Sequence, residues 1–234
     1  MTHETLCRVG QAHVVCQLGQ TCSPGFFDTA CYRFYQLRLV NRLRPYGVSL
    51  HAYSLQADRI LLLLTASTPT AVAELLRSLN DSYSDYFALR FRRRIRVWRD
   101  RFRLTAIPTD ALVLDCQKLI EQRESYSAEC GWHPWTSYCA NALGLGAHFL
   151  TPHRAYEAFM RADAAHARYR AFIAAPFNPA YHAYLQSCIY QGRPLLGTRR
   201  ARRLRSNEST THVQGHRAGA GEACFLRLPR QVPR

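Results

Sequence analysis

The spacing of apolar side chains divides the first half of the chain into strands and helices. Runs rich in β-branched and aromatic residues predict strands at 12–18, 47–55 and 59–65, and a short polar stretch joins the last two as a hairpin. A fourth run, 101–107, is also compatible with a strand. These segments predict a sheet built largely from antiparallel neighbours.

Helical periodicity fills the gaps between the strands. Residues 28–44 carry apolar side chains at a mostly helical spacing, which Pro45 ends. A second helix is predicted to open at Thr68 as the cap, with Pro69 at its first position, and a third to start near Pro108. The second helix has the clearest stripe, made of Val72, Leu75, Leu76, Leu79, Tyr83, Tyr86 and Phe87.

The element order β, α, β, β, α, β, α predicts the fold class α+β, an antiparallel sheet with helices packed on it. Three further helical segments, near 152–159, 164–174 and 179–190, predict a C-terminal helical extension. Periodicity vanishes after residue 195. We therefore expect three parts: an α+β domain at 1–145, the extension at 146–195, and an arginine-rich, disordered tail at 196–234.

Composition narrows the class of partner. The chain has 234 residues with 31 basic and 16 acidic side chains, a net charge of +15, and Lys118 is its only lysine. Such a charge favours a polyanion, with nucleic acid the first candidate and an anionic membrane surface the second, although a GC-rich genome also enriches arginine. No apolar run is long enough to span a membrane, and no secretory signal is recognisable, so we expect a cytoplasmic protein.

Arginine is densest between Arg90 and Arg103, where eight arginines are interleaved with aromatic residues and opposed by Asp100 alone. This pattern is typical of a groove that follows a nucleic-acid backbone and stacks unpaired bases on its rings. A solvated charged face is the alternative, and Trp98 is equally compatible with a core position. The predicted nucleic-acid contacts here are Arg92, Arg93, Arg94, Arg96, Trp98 and Arg101.

Several motifs occur in the order known from one bacterial family. The first strand reads His-Val-Val-Cys-Gln-Leu-Gly from His13, the second spans 46–53, and Pro-Trp-Thr-Ser-Tyr follows at 134–138. Over about 10–144 the chain thereby resembles the REP-associated branch of the single-tyrosine HUH transposases. The resemblance implies a ferredoxin-like HUH transposase sheet, DNA transposition, recognition of hairpin or single-stranded DNA, and a monomer or homodimer.

The residues that carry catalysis in that family are replaced here. By the resemblance, the two histidine ligands of the family correspond to Arg59 and Leu61, the third ligand to Arg123, and the tyrosine nucleophile to Leu119. The family uses divalent Mg or Mn to polarise the scissile phosphate. Leucine offers no nucleophile and arginine stays protonated, so we expect no catalytic residue, no metal ligand and no cofactor at these positions.

Two interpretations of the replaced site stay open. Arg59 and Arg123 either bind the phosphate that the metal formerly held or are surface residues left by drift. A displaced metal site is also conceivable, since His51 and Tyr53 are expected to share a strand face near His13.

The sequence as a whole predicts a DNA-binding protein of transposase descent, without strand cleavage and without a membrane partner. Two alternatives remain: an active transposase with a displaced site, and a decayed remnant with no selected function.

Overall fold

The computed structural model describes residues 7–20, 25–94, 96–99, 102–122 and 135–197. These residues form a four-stranded sheet and seven helices. The strands are β1 (Ala12–Leu18), β2 (Val48–Gln56), β3 (Arg59–Ala66) and β4 (Arg103–Ala106). The helices are α1 (Thr29–Leu43), α2 (Ala71–Phe91), α3 (Asp110–Gln122), α4 (Tyr138–Leu143), α5 (Arg154–Met160), α6 (Ala165–Ala174) and α7 (Pro179–Gln191).

The sheet has the order β2-β3-β1-β4, and all its neighbouring strands are antiparallel. This is the strand order of a ferredoxin-like βαββαβ unit. The predicted fold class, α+β with helices packed on an antiparallel sheet, is thereby confirmed. The central strands β1 and β3 read as nearly continuous apolar runs because both faces of the sheet are covered by helices.

Helices α1 and α2 cover one face of the sheet, and we call this layer the open side because its outer surface meets solvent. Asp28 caps α1 by accepting a hydrogen bond from the Cys31 amide at 3.0 Å. Its other carboxylate oxygen pairs with Arg90, near the C-terminus of α2, at 2.6 Å. The two helices therefore run antiparallel, with the start of α1 beside the end of α2.

Helix α3 covers the opposite face together with α7, which packs on β1 and β4, while α5 and α6 pack on α3, so we call this layer the covered side. The predicted C-terminal helices are present as α5, α6 and α7, whereas α4 was not predicted. Because helices surround α3, even its polar residues Asp115, Lys118 and Glu121 are buried. The domain boundary at 145 stays a prediction, and the tail from residue 198 onward lies outside the described residues.

The predicted start of α2 was wrong. The helix begins at Ala71, with Thr70 rather than Thr68 at its cap position. Pro69 lies before the helix, where its carbonyl accepts a hydrogen bond from the Cys7 amide at 3.0 Å. That contact holds Pro69 in the loop, so proline does not occupy the first helical position here.

Both edges of the sheet bond to segments from later in the chain. On β2 the partners come from the loops around α4 and before α5, and on β4 the partner follows α7. The bonds join Leu55 N to Trp135 O at 2.9 Å, Ser137 N to Tyr53 O at 3.0 Å, Thr151 N to Leu50 O at 2.8 Å and Leu195 N to Ala106 O at 3.1 Å.

Two further properties can be stated of the described residues. None of their helices combines the length and the apolar character that crossing a membrane requires. The cysteines among them are reduced thiols. Most are buried, as for Cys16, Cys31 and Cys116, and Cys139 is partly exposed.

Candidate nucleic-acid interface

The basic segment predicted from the sequence begins where α2 ends. Helix α2 stops at Phe91, and Arg92 has a φ of 50°, a left-handed conformation more often taken by glycine at helix C-termini. The chain then leaves the helix toward β4 with its arginines on the surface. The exposed side chains described in this stretch are those of Arg92, Arg93, Arg94, Arg96 and Arg99.

Three of these arginines carry uncompensated charge. Arg92, Arg93 and Arg94 form no ion pair and no side-chain hydrogen bond with any other residue in the part of the chain that the structure describes. Three neighbouring guanidinium groups in solvent create a positive potential that attracts a polyanion. Arg101, also predicted as a contact, lies outside the described residues.

Trp98 belongs to the core, which corrects its assignment to the binding surface. Its side chain is only 4% exposed, and its ring packs 5.3 Å from Phe26 and 5.9 Å from Tyr83. Gly25 lies so close that a Cβ at this position would be 2.5 Å from the indole ring. Too little ring surface is left for a base to stack on Trp98, so the alternative given by the sequence, a core residue, describes it.

The family nucleophile position and one ligand position meet inside an apolar cluster. Leu61 on β3 and Leu119 on α3 are 1% and 4% exposed and pack in the same core cluster as Leu185 and Ile189 of α7. The two positions lie on one face of the sheet. The leucine side chains there have no group that could attack a phosphodiester or hold a metal ion, and α7 packs against them. Arg123 lies outside the described residues.

Arg59, at the other family ligand position, is engaged by its own neighbours. Its guanidinium pairs with Asp58 at 2.6 Å and donates to the Tyr190 hydroxyl at 2.7 Å. The Tyr190 ring also lies 5.3 Å below the guanidinium. Hydrogen bonding to the Asp58 carboxylate raises the pKa of Arg59 further above its usual range. These contacts favour a structural role that ties β3 to α7 over an open phosphate site.

The proposed His51 and Tyr53 pair does not share a strand face, which corrects that expectation. The register of β2 shifts between Leu50 and Ala52, so His51 is the extra residue of a β-bulge. Its ring nitrogens contact Thr151 O at 2.6 Å and Thr65 Oγ1 at 2.8 Å on the covered side. The Tyr53 hydroxyl instead accepts a hydrogen bond from Gln36 of α1 on the open side.

No displaced metal site is found among the described residues, where no group of three or more His, Cys, Asp or Glu side chains could hold an ion. His13 is partnered by the Gln11 carbonyl at 2.8 Å. Burial lowers the pKa of both His13 and His51, that of His51 to about 4. The two histidines are thus neutral packing residues near neutral pH.

Tyr83, a member of the apolar stripe of α2, is a core residue. It is fully buried on the open side, and its hydroxyl donates to the Gly25 carbonyl at 2.7 Å. Burial raises the pKa of Tyr83, which opposes formation of a phenolate. The side chain therefore packs as its place in the apolar stripe predicted.

Sequence analysis missed a buried polar network around Glu121. The fully buried carboxylate accepts hydrogen bonds from the side chains of Ser137, Asn141 and Tyr169 at 2.7, 2.6 and 2.7 Å. Burial raises the pKa of Glu121, although the three donors partly oppose this shift. The network joins α3 to α4 and α6, and with three side chains closing around it the carboxylate is structural. No local sequence pattern indicates this network, because Tyr169 lies 48 residues after Glu121 in the chain.

Comparisons with known proteins give one result of note. No protein-family model and no curated protein matches this sequence. Among solved structures, the chain is similar to a REP-associated tyrosine transposase bound to a REP hairpin, with 13% sequence identity and a TM-score of 0.48. The match covers 65% of this chain and 92% of that chain. At this identity and score the likeness decides nothing about function, and the fold rests on the strand order and helix placement of this chain.

Proposed function

We propose that this protein binds DNA, in a single-stranded or hairpin form, through the basic segment Arg92 to Arg96, and that it does so without cutting a strand. The observation that carries the proposal is the run of exposed arginines at the end of α2, of which Arg92, Arg93 and Arg94 lack an acidic partner among the described residues. Arginine presents a planar fork of donors that suits phosphate oxygens.

The net charge of the whole chain also supports DNA binding at this segment. A net charge of +15 adds a long-range attraction for any polyanion, and the exposed arginines provide a place where that attraction can become contact. Folding leaves the side chains of Arg92, Arg93 and Arg94 exposed directly after the end of α2, where a phosphate backbone can approach them from solvent.

The absence of cleavage is inferred from the covered side. Leu61 and Leu119 are buried among leucine and isoleucine side chains, and Arg59 is paired with Asp58. Phosphodiester attack needs a nucleophile that reaches the phosphorus and a group that stabilises the developing charge. Neither is provided at these positions, so an active transposase with its site here is disfavoured.

Titration of DNA binding against salt tests the first half of the proposal. Four phosphate contacts would give a log-log slope of roughly −3 for a single strand. A variant with Arg92, Arg93, Arg94 and Arg96 changed to glutamine should flatten that slope markedly. The matched control changes four exposed arginines elsewhere, Arg44, Arg77, Arg161 and Arg168, and removes the same charge.

The outcomes separate the function classes. A flattened slope in the segment variant but not in the control supports binding through the segment. Equal salt slopes in the two variants would mean that the segment is a solvated charged face without phosphate contacts. No DNA binding by the wild-type protein would favour a decayed remnant without function. Incubation with a suicide hairpin substrate and Mg²⁺ or Mn²⁺ should give no covalent adduct, and an adduct would overturn the second half of the proposal.

A further inference from the structure

Phe27 is the one aromatic ring among the exposed large apolar side chains in the described part of the chain. It lies in the loop before α1 and is 47% exposed. Its ring centroid is 5.3 Å from those of both Phe87 and Phe91. Phe87 is buried and Phe91 partly so, which places Phe27 as the outermost ring of a cluster of tilted rings that extends from the core to solvent.

The loop that carries this ring is held firmly in place. Asp28, the next residue, caps α1 through one carboxylate oxygen and pairs with Arg90 through the other. The Arg90 guanidinium also lies 5.2 Å from the Phe91 ring. Since Asp28 is bonded to both helices, these contacts hold the backbone next to Phe27 in place, and Phe87 and Phe91 support its ring from below. An exposed ring fixed in this manner costs little further entropy on binding a ligand.

The ring lies near the start of the basic segment. Phe91, whose ring centroid is 5.3 Å from that of Phe27, directly precedes Arg92 in the chain. Consecutive Cα atoms are about 3.8 Å apart, so the Cα atoms of Arg92 and Arg93 lie within about 8 Å of that of Phe91. The Asp28 carboxylate does not offset these arginines because Arg90 already pairs with it. An exposed aromatic ring thus lies close to the point where the chain enters the run of arginines that form no ion pair among the described residues.

We propose that Phe27, supported by Phe91, is the stacking platform for an unpaired base of a single-stranded segment whose phosphates are held by Arg92, Arg93 and Arg94. This inference rests on the proposed function and gives it a second, base-dependent part. Every base has an aromatic face, so the platform takes any unpaired base. Duplex DNA keeps its base faces stacked inside the helix and would contact the arginines alone. Phe27 takes the stacking role that was one of the two interpretations of Trp98.

The experiment compares an oligo-dT strand with an abasic strand of equal length, which has the same phosphates and no bases. Wild-type protein should bind oligo-dT roughly 5- to 150-fold more tightly than the abasic strand, the range expected for one stacked base. Phe27→Ala should abolish that preference and leave the salt slope unchanged, because stacking releases no counterions. Phe27→Trp should restore it.

Two control variants separate base stacking from a loss of stability and from a general loss of exposed apolar surface. Phe27→Leu keeps apolar contact with Phe87 and Phe91 but has no ring, so it should lose the preference while retaining the wild-type melting temperature. Leu37→Ala truncates another exposed apolar side chain, on α1, and should bind both strands as the wild type does.

The possible failures are distinguishable. If Phe27→Ala keeps the full preference for oligo-dT, the platform is refuted while the arginine contacts, and with them the proposed function, still stand. If wild-type protein binds neither strand, both are refuted together. If Phe27→Ala changes sedimentation and not strand binding, the ring is a contact between copies of the chain, which also overturns the inference.

Discussion

The two sides of the sheet handle polar side chains in opposite ways. On the open side a single layer of helices lets charged groups reach water, as with Arg38, Arg77 and Arg92. On the covered side a second layer surrounds α3, so that Glu121 and Lys118 lie in the interior. The Glu121 carboxylate is closed in by three side-chain donors, and the Lys118 ammonium lies 4.6 Å from the Phe177 ring.

This difference bears on where function can be sought. A buried polar group that is fully partnered stabilises a unique packing and has no hydrogen-bonding capacity left for a ligand. An exposed charge without a partner keeps its capacity to bind. The covered side holds more titratable residues with shifted pKa values, yet the open side has the groups that can meet a ligand.

The largest loss of stability is expected when Glu121, the centre of the buried hydrogen-bond network on the covered side, is removed. Glu121→Ala leaves the Ser137, Asn141 and Tyr169 donors unpaired and opens a cavity, so we expect a loss of about 3–5 kcal/mol in the free energy of unfolding. Urea denaturation followed by circular dichroism measures it. A loss below about 1 kcal/mol would mean that the network is not a stabilising centre.

Glu121→Gln serves as the control because it keeps the volume and one acceptor oxygen. Burial raises the pKa of Glu121 above its unfolded value, so its protonated form is favoured in the folded state. Its contribution is therefore full below the unfolded pKa and is lost as pH rises through the folded pKa. The glutamine variant, which has no proton to lose, should not show this decline.

A second test on the covered side has the opposite pH dependence. Burial lowers the pKa of His51 to about 4. Its contribution is present above the unfolded pKa of about 6.5 and is lost as pH falls through the folded value, by up to about 3 kcal/mol. His51→Gln should therefore flatten the decline in stability between about pH 6.5 and 4. Identical acid profiles for the two proteins would contradict the burial of a neutral imidazole.

The smallest effect is expected on the open side. Asp28→Ala removes the cap of α1 and the exposed pair with Arg90, for which we expect about 1 kcal/mol. Asp28→Asn should recover most of the cap while losing the ion pair. Thermal melting of both variants gives the size of each part, and a loss as large as that of Glu121→Ala would erase the contrast between the two sides.

Local sequence patterns predicted the sheet and the large helices well. Strands β1 and β3 are apolar runs bounded by polar residues, so their limits could be identified from the chain itself, and α1 and α2 have clear helical stripes. Helix α4 was missed because six residues are too few to show a period. The bulge at His51 was missed because its extra residue reverses the alternation of strand faces without any local signal.

The candidate site was predicted only where it depends on charge. The cluster of arginines after α2 is visible in the sequence, and folding leaves Arg92, Arg93, Arg94, Arg96 and Arg99 exposed. Trp98 and Phe27 could not be told apart, because their burial is decided by contacts with residues far away in the chain. The same holds for Glu121, whose partner Tyr169 belongs to a helix that packs on α3 only in the folded protein.

The hydrogen bonds along the rims of the sheet have a consequence for how the protein behaves in concentrated solution. A strand with free amides and carbonyls at a rim is a template on which a second molecule can add its own strand, and fibres grow from such additions. Here Trp135, Ser137 and Thr151 occupy the rim at β2, while Leu195 occupies the rim at β4. Truncation within or before α7 would remove the Leu195 contact, so a shortened chain should precipitate even where its core still folds.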